Sequence, residues 1–208
     1  MTPIASLPII SHEHKFIYTL IPKVACTSIR ESLARLLNLT WRPPNNAGRR
    51  QTRFEHISRK EIVNYPKYFK FAFVRNPWSR LVSCYHEKMV ESPSNMVSKH
   101  IIKMNGGNKN VGFPRFVELI CGESDSKADI HYRSQNTFFN IKQLDFLGRF
   151  ETLDADVDRL REHVPISGVL KHFRKTKSSP YQAYYDDRLK QMVGNRYRKD
   201  VKLLSYSF

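Results

Sequence analysis

Phe16-Ile17-Tyr18-Thr19-Leu20-Ile21-Pro22-Lys23-Val24-Ala25-Cys26-Thr27-Ser28 is the stretch on which the reading of the chain turns. Its first six residues are nearly all apolar and rich in β-formers, the pattern of a buried strand. Pro22 ends the run because it brings no N–H to a ladder. Apolar residues return at Ile29, Leu33, Leu36 and Leu37, the i, i+4, i+7, i+8 spacing of an amphipathic helix. The same order recurs downstream. Residues 68–74 form a second apolar run, Arg75 follows directly, Asn76-Pro77 suits an N-cap and a first-turn proline, and Leu81, Val82, Tyr85 and Met89 continue a helical face. A third strand is expected over 144–150, with a helix through Leu160, and helical spacing returns between 184 and 204. Strands alternating with helices predict an α/β fold, a P-loop-like unit with a central, mostly parallel sheet flanked by helices.

The 208 residues suit a single domain over 1–208. Residues 1–14 read as peripheral and the polar stretch 92–112, with Gly106-Gly107, as a loop insertion. Residues 40–53 form a basic loop. Ser58 and Glu61 match a capping box, with Ile57 and Ile62 as its staple, so a short helix should start at Ser58, with His56 ahead of it. Residues 113–120 read as helical.

Composition narrows the partners. Hydrophobic residues are 40% and charged residues 26%, an ordinary globular balance. Lys+Arg number 35 against 19 Asp+Glu, a formal charge of +16. Nucleic acid, an anionic membrane surface, an anionic cofactor or an acidic polymer would each suit that excess. Cys26, Cys84 and Cys121 are widely spaced and odd in number, which argues against a disulfide framework or a structural zinc site. No stretch approaches the ~18 apolar residues needed to span a bilayer. The expected location is therefore cytoplasmic for the chain as written, or the Golgi lumen if an N-terminal anchor precedes it.

A strand that feeds a helix through a tight loop leaves helix-start N–H groups unpaired, and with the helix dipole they make an anion site. Lys23 adds a positive charge, and Thr27 and Ser28 add hydroxyls. No G-x-x-x-x-G-K-[ST] occurs, so an ordinary nucleoside triphosphatase or nucleotide kinase is disfavoured. The bland alternative is a plain capped helix, with Ser28 and Glu31 as its capping box. Arg75 leaves the end of a strand, where open α/β sheets place ligands, and Ser83 lies on the next helix. A guanidinium and a hydroxyl can hold a phosphate; equally, Arg75 could be a structural ion-pair partner.

Pro-Lys-Val-Ala-Cys-Thr-Ser (22–28) and Val-Arg-Asn-Pro-Trp-Ser-Arg-Leu-Val-Ser (74–83) resemble the two signature segments of the carbohydrate sulfotransferases, in the group that holds the chondroitin, dermatan and HNK-1 enzymes and bacterial relatives. The likeness continues at Leu144-Asp145-Phe146-Leu147-Gly148-Arg149-Phe150-Glu151-Thr152-Leu153 and at Val193, Tyr197 and Asp200, and it covers about 16–206. It implies a donor, 3′-phosphoadenosine 5′-phosphosulfate, and no metal. Lys23, Thr27 and Ser28 then match the 5′-phosphosulfate loop, with Val24, Ala25 and Cys26 supplying backbone. Arg75 and Ser83 match the 3′-phosphate site, and Arg80 reads as structural. The implied acceptor is a hydroxyl of a carbohydrate or glycoconjugate, with an anionic one suggested by the charge. Peripheral contact with membrane lipids is a further expectation; nucleic acid is not an expected partner. The competing readings are a basic nucleic-acid-binding protein and a sulfotransferase for a non-carbohydrate small molecule.

Sulfuryl transfer needs charge stabilisation at the leaving phosphate, for which Lys23 is placed, and a base for the acceptor proton. Of eight histidines, His56 is the first choice, because related enzymes place a catalytic histidine in this interval. His131 is the runner-up, and Glu55 and Glu13 remain possible bases. His12 and His14 alternate on a possible strand and read as structural. Cys26 could be mistaken for a nucleophile; a small residue packed under the loop is the simpler reading. The basic segment 171–179 could close over the nucleotide, attract an acidic acceptor, or be a solvated face. Residues 40–53 and 92–112 are the expected acceptor walls.

Overall fold

The computed structural model describes residues 7–42, 52–167 and 180–208. In chain order they form β1 (Ile9–Ser11), β2 (Phe16–Thr19), α1 (Cys26–Leu36), β3 (Phe69–Val74), α2 (Pro77–Tyr85), α3 (Met96–Met104), α4 (Phe113–Cys121), β4 (Phe146–Arg149), α5 (Leu153–Leu160), α6 (Asp187–Arg196) and α7 (Arg198–Leu204). Short 3-10 turns join them, and a π-helical stretch runs from His86 to Glu91. The elements fall into two compact units. Of the described residues, one unit holds those up to Val74 together with 138–167; the other holds Arg75–Thr137 and 180–208.

The first unit is built on a sheet in the order β1-β2-β3-β4. β2, β3 and β4 run parallel, with Tyr18 beside Phe71 and Phe71 beside Phe146. β1 runs antiparallel, with Ile10 opposite Ile17. The architecture is therefore α/β with a mostly parallel sheet, as the alternation of strands and helices predicts. Residues 1–14 are not simply peripheral: Ile9 and Ile10 are fully buried in β1. Three residues are too few to display a period, so this strand was invisible in the pattern. His12 and His14 lie in the turn after it and do not alternate along a strand.

Side chains alternate across the sheet. One face is aromatic: ring centroids lie 5.0 Å apart for Tyr18 and Phe71 and 6.0 Å for Phe73 and Phe146. Gly148 faces Phe73, where a Cβ would come within 2.3 Å of the ring, so a side chain there would displace the core. Each such buried aromatic stabilises the fold by about 2–3 kcal/mol. The other face gathers Ile10, Ile17, Ile57 and Ile62, with Tyr65 and Tyr68 against them. Ile57 and Ile62 thus meet as the staple predicts, and the Ser58 N–H donates to Glu61 Oε2 at 2.7 Å. The helix they introduce is one 3-10 turn, Glu61–Asn64, three residues later than expected.

In the second unit Asn76 caps α2, accepting from the N–H groups of Trp78 and Ser79. Trp78, Phe116, Val117, Tyr132, Val193 and Tyr197 form part of its core. The expected loop 92–112 contains α3. Asn95 caps it by accepting from the Ser98 N–H at 3.0 Å, and Val97 and Ile101 are buried. Gly106 and Gly107, both at positive φ, turn the chain after it. The C-terminal helical stretch is broken at buried Tyr197 into α6 and α7. No helix of the described residues is long and apolar enough to cross a membrane.

Candidate functional site

The turn from β2 into α1 departs from ordinary backbone. Lys23 has φ 72° and Ala25 has φ 50°, both in the left-handed region. Neither residue is glycine, so each position costs about 1–2 kcal/mol. Strain of this kind is held where the surrounding structure fixes it, often at sites that bind or react. Ala25 is the N-cap and offers no side-chain cap, and the first turn of α1 carries no acid. Its N–H groups are thus not claimed by a capping side chain and retain their attraction for an anion. The capping box of Ser28 and Glu31 does not form: Ser28 lies inside the helix, and Glu31 accepts from Arg35 Nη1 at 3.0 Å. Val24 is fully buried and Ser28 nearly so, while Lys23, Ala25, Cys26 and Thr27 are half-buried.

Thr19 pairs with Ala72, so β2 and β3 end at the same edge of the sheet. Ligands of open α/β sheets collect at that edge. Arg75 is the residue after β3. Within the second unit its backbone is held twice by Gln135: its N–H donates to Oε1 at 3.0 Å, and Gln135 Nε2 donates to its carbonyl at 2.8 Å. Its Nε donates to Ser79 Oγ at 2.9 Å. Gln135 is fixed in turn by Asp200, which is wholly buried and accepts the backbone N–H groups of Gln135 (2.7 Å) and Asn136 (2.8 Å) and the Asn136 side-chain amide. Ser83 sits half-buried on α2. Arg80 is 3% exposed and donates to the carbonyls of Arg133 (2.8 Å) and Ile130 (3.3 Å), which makes it a strut of the α2 segment.

Asp200→Ala should therefore be among the most destabilising single changes in the second unit. It strands three donors, the N–H of buried Gln135 and two groups of half-buried Asn136, at a cost of about 3–5 kcal/mol. That is roughly a 10 °C fall in melting temperature for a chain of this length. A calorimetric scan showing a change under about 2 °C would contradict the role given to Asp200.

His56 lies beside β1, bridged to Ile9. Its Nδ1 is 3.2 Å from the Leu7 carbonyl. A carbonyl only accepts, so the ring proton sits on Nδ1 and Nε2 keeps its lone pair. Burial holds the imidazole below its ordinary pKa; the carbonyls of Leu7 and Pro8 oppose this, and the charge of Arg30 adds to it. Arg30 itself, on α1, is 7% exposed and lies over the rings of Phe54 (5.4 Å) and Trp41 (6.0 Å). Its own pKa is lowered, chiefly by burial. The neighbouring Glu55 turns away from His56 and accepts from His12 Nε2 at 3.2 Å, beside Tyr68. Glu13 is exposed and pairs with His14. Neither carboxylate is placed with His56.

His131 belongs to the second unit. Its Nδ1 donates to Asp129 at 2.6 Å. Burial lowers its pKa, helped by Lys88 and opposed by Asp129. The first unit thus brings together the Lys23 loop, Arg30 and His56; the second holds Arg75, Ser83 and His131. Arg30, Gln135 and Asp200 were not singled out from the sequence as parts of a site. Their roles rest on long-range neighbours, and only the position of Arg30 one turn after Cys26 hinted at its own. The segment 171–179 and most of the basic loop 40–53 lie outside the described residues. Among the described residues no group of three or more His, Cys, Asp or Glu could hold a metal ion.

A mostly parallel sheet in which β2 leads into a strained, uncapped helix start defines an α/β protein, and comparison with known families places it further. The profile of the sulfotransferase family matches residues 8–207, so the chain belongs to that family. It is 27% identical over 188 residues to carbohydrate sulfotransferase 14 of Danio rerio, covering 80% of this chain and 49% of the relative. Carbohydrate sulfotransferase 11 of Mus musculus is 24% identical over 198 residues, covering 82% and 56%. Carbohydrate sulfotransferase 9 of Homo sapiens is 27% identical over 217 residues, covering 92% and 47%. The chain spans about half the length of these relatives. No solved structure matches it at a significant level.

Proposed function

We propose that the chain, acting as one sulfotransferase domain, moves a sulfuryl group from 3′-phosphoadenosine 5′-phosphosulfate to a hydroxyl of a carbohydrate or glycoconjugate. The observation that carries this reading is the turn of residues 22–28, with left-handed Lys23 and Ala25 opening an uncapped helix. The names of the relatives and the family match support it. In this reading Lys23, Thr27 and Ser28, with the backbone of Val24, Ala25 and Cys26, hold the 5′-phosphosulfate. Arg75 and Ser83 hold the 3′-phosphate. Ser28 is nearly buried, so its part is to orient the helix start more than to reach the ligand.

The reaction forms one bond and breaks one. The acceptor oxygen bonds to sulfur, and sulfur parts from the 5′-phosphate oxygen. The hydroxyl proton passes to His56 Nε2, the nitrogen left unprotonated by the Leu7 contact. Negative charge grows on the departing phosphate, where Lys23 meets it. Positioning and charge stabilisation carry such transfers, with little covalent work by the protein.

The test is direct. Adenosine 3′,5′-bisphosphate should raise the melting temperature by mass action on the folded state. Radiolabelled donor should pass its sulfate to members of a glycan panel. Absence of both effects would sink the reading. A melting shift with oligonucleotides that fades steeply with salt would instead favour a nucleic-acid binder.

A further inference from the structure

Arg30 carries the inference. It follows Cys26 by four residues and Thr27 by three, so it shares their face of α1. Helical side chains lean toward the N-terminus, which carries this guanidinium toward the Lys23 loop. Its charge reaches the Cys26 thiol, the Tyr18 hydroxyl and His56. It is more than nine-tenths buried, and its Nε has no hydrogen-bond partner among the described residues. No carboxylate among them acts on it. Residues 1–6, 43–51 and 168–179 contain no aspartate or glutamate, so those segments bring none. A buried cation without a counter-ion is costly. The faces of Phe54 and Trp41 attract it and offset part of that cost, yet they do not accept its hydrogen bonds in carboxylate geometry. Trp41, whose ring lies 6.0 Å from the guanidinium carbon, is partly exposed, so the charge has an aromatic wall that reaches the surface.

We propose that Arg30 is an anion-binding residue of the acceptor site, receiving a carboxylate or sulfate on the acceptor sugar close to His56. It makes the enzyme prefer anionic glycans. The word acceptor rests on the sulfotransferase reading; the affinity of Arg30 for a sugar-borne anion does not.

The test compares wild-type protein with Arg30→Met, which keeps a long unbranched side chain, and Arg30→Lys, which keeps the charge. Glucuronate and glucose are titrated with and without saturating adenosine 3′,5′-bisphosphate, and binding is followed by melting temperature. Wild-type protein should bind glucuronate and not glucose. Arg30→Met should bind glucuronate at least tenfold more weakly, with Arg30→Lys between the two. The Arg30→Met melting temperature without ligand should equal or exceed that of wild type, because no native ion pair is lost. A fall of several degrees would mark Arg30 as a structural residue and overturn the proposal. So would equal binding of the two sugars, or no binding of either. A selective loss of affinity for the sulfated donor over the bisphosphate would assign Arg30 to the transferred group and overturn it too. Failure of the bisphosphate to bind would defeat the donor reading alone, since the glucuronate titration without nucleotide stands apart from it.

Discussion

Lys23→Ala is expected to lower kcat for sulfuryl transfer by about 10²–10³-fold, the usual consequence of removing one charge-stabilising donor from a preorganised site. The backbone makes this substitution clean. Lys23 sits at φ 72°, a conformation that costs any non-glycine residue alike. Alanine bears the same penalty as lysine, so the fold gains and loses nothing from the change in backbone preference. The side chain is half-buried, and its removal opens no core. The melting temperature should stay within about 2 °C, and adenosine 3′,5′-bisphosphate should still raise it, since the helix-start N–H groups and the 3′-phosphate residues remain. The loss should therefore fall on kcat more than on the binding of the product nucleotide, as befits a contact that strengthens when the leaving phosphate becomes an anion. A kcat within tenfold of wild type, measured with labelled donor, would remove Lys23 from the transfer step.

The two strand-to-helix turns were readable because each is local. β2 and β3 are largely apolar runs, the second interrupted only by Lys70, and Pro22 and Asn76-Pro77 punctuate them. Lys23 and Arg75 stand at those junctions, so their placement follows from the order of residues alone. β1 has three residues and no period to read; only its pairing with Ile17 and the burial of Ile9 define it. α3 hides in a polar run because its core contribution is little more than Val97 and Ile101, while Met96 beside them is 78% exposed. Gln135 and Asp200 are 65 positions apart, a relation no local pattern carries. Arg30 looks like any polar residue on a solvated helix face until Phe54 and Trp41 are seen around it. Local chemistry was legible; chemistry made by tertiary contact was not.

His56→Ala is expected to lower kcat/KM by about 10²–10⁴-fold near pH 7.5, the range that a positioned general base contributes. The pH profile separates this from a mere packing loss. Burial holds His56 below the ordinary histidine pKa, and Arg30 adds to the effect. The imidazole is therefore neutral, with Nε2 able to accept, at and above neutrality. Wild-type kcat/KM should be flat there and fall tenfold per pH unit once the pH drops below the folded-state pKa, itself under about 6.5. Stability should weaken in the adjoining window just above that limb, from the unfolded-state histidine pKa of about 6.5 down to the folded-state value, because there the unfolded chain takes up a proton that the folded one resists. In His56→Ala the residual rate should lose that acid limb, since no imidazole remains to be protonated at the reacting oxygen. An unchanged limb on a strongly reduced rate would assign the base to another group. His131 would then be the first to test, because its Nδ1–H donates to Asp129 just as that of His56 donates to the Leu7 carbonyl, which leaves the Nε2 lone pair of each ring to accept. What favours His56 is its unit: it lies in the one that carries α1 and the Lys23 loop, and the charge of Arg30 on α1 reaches it.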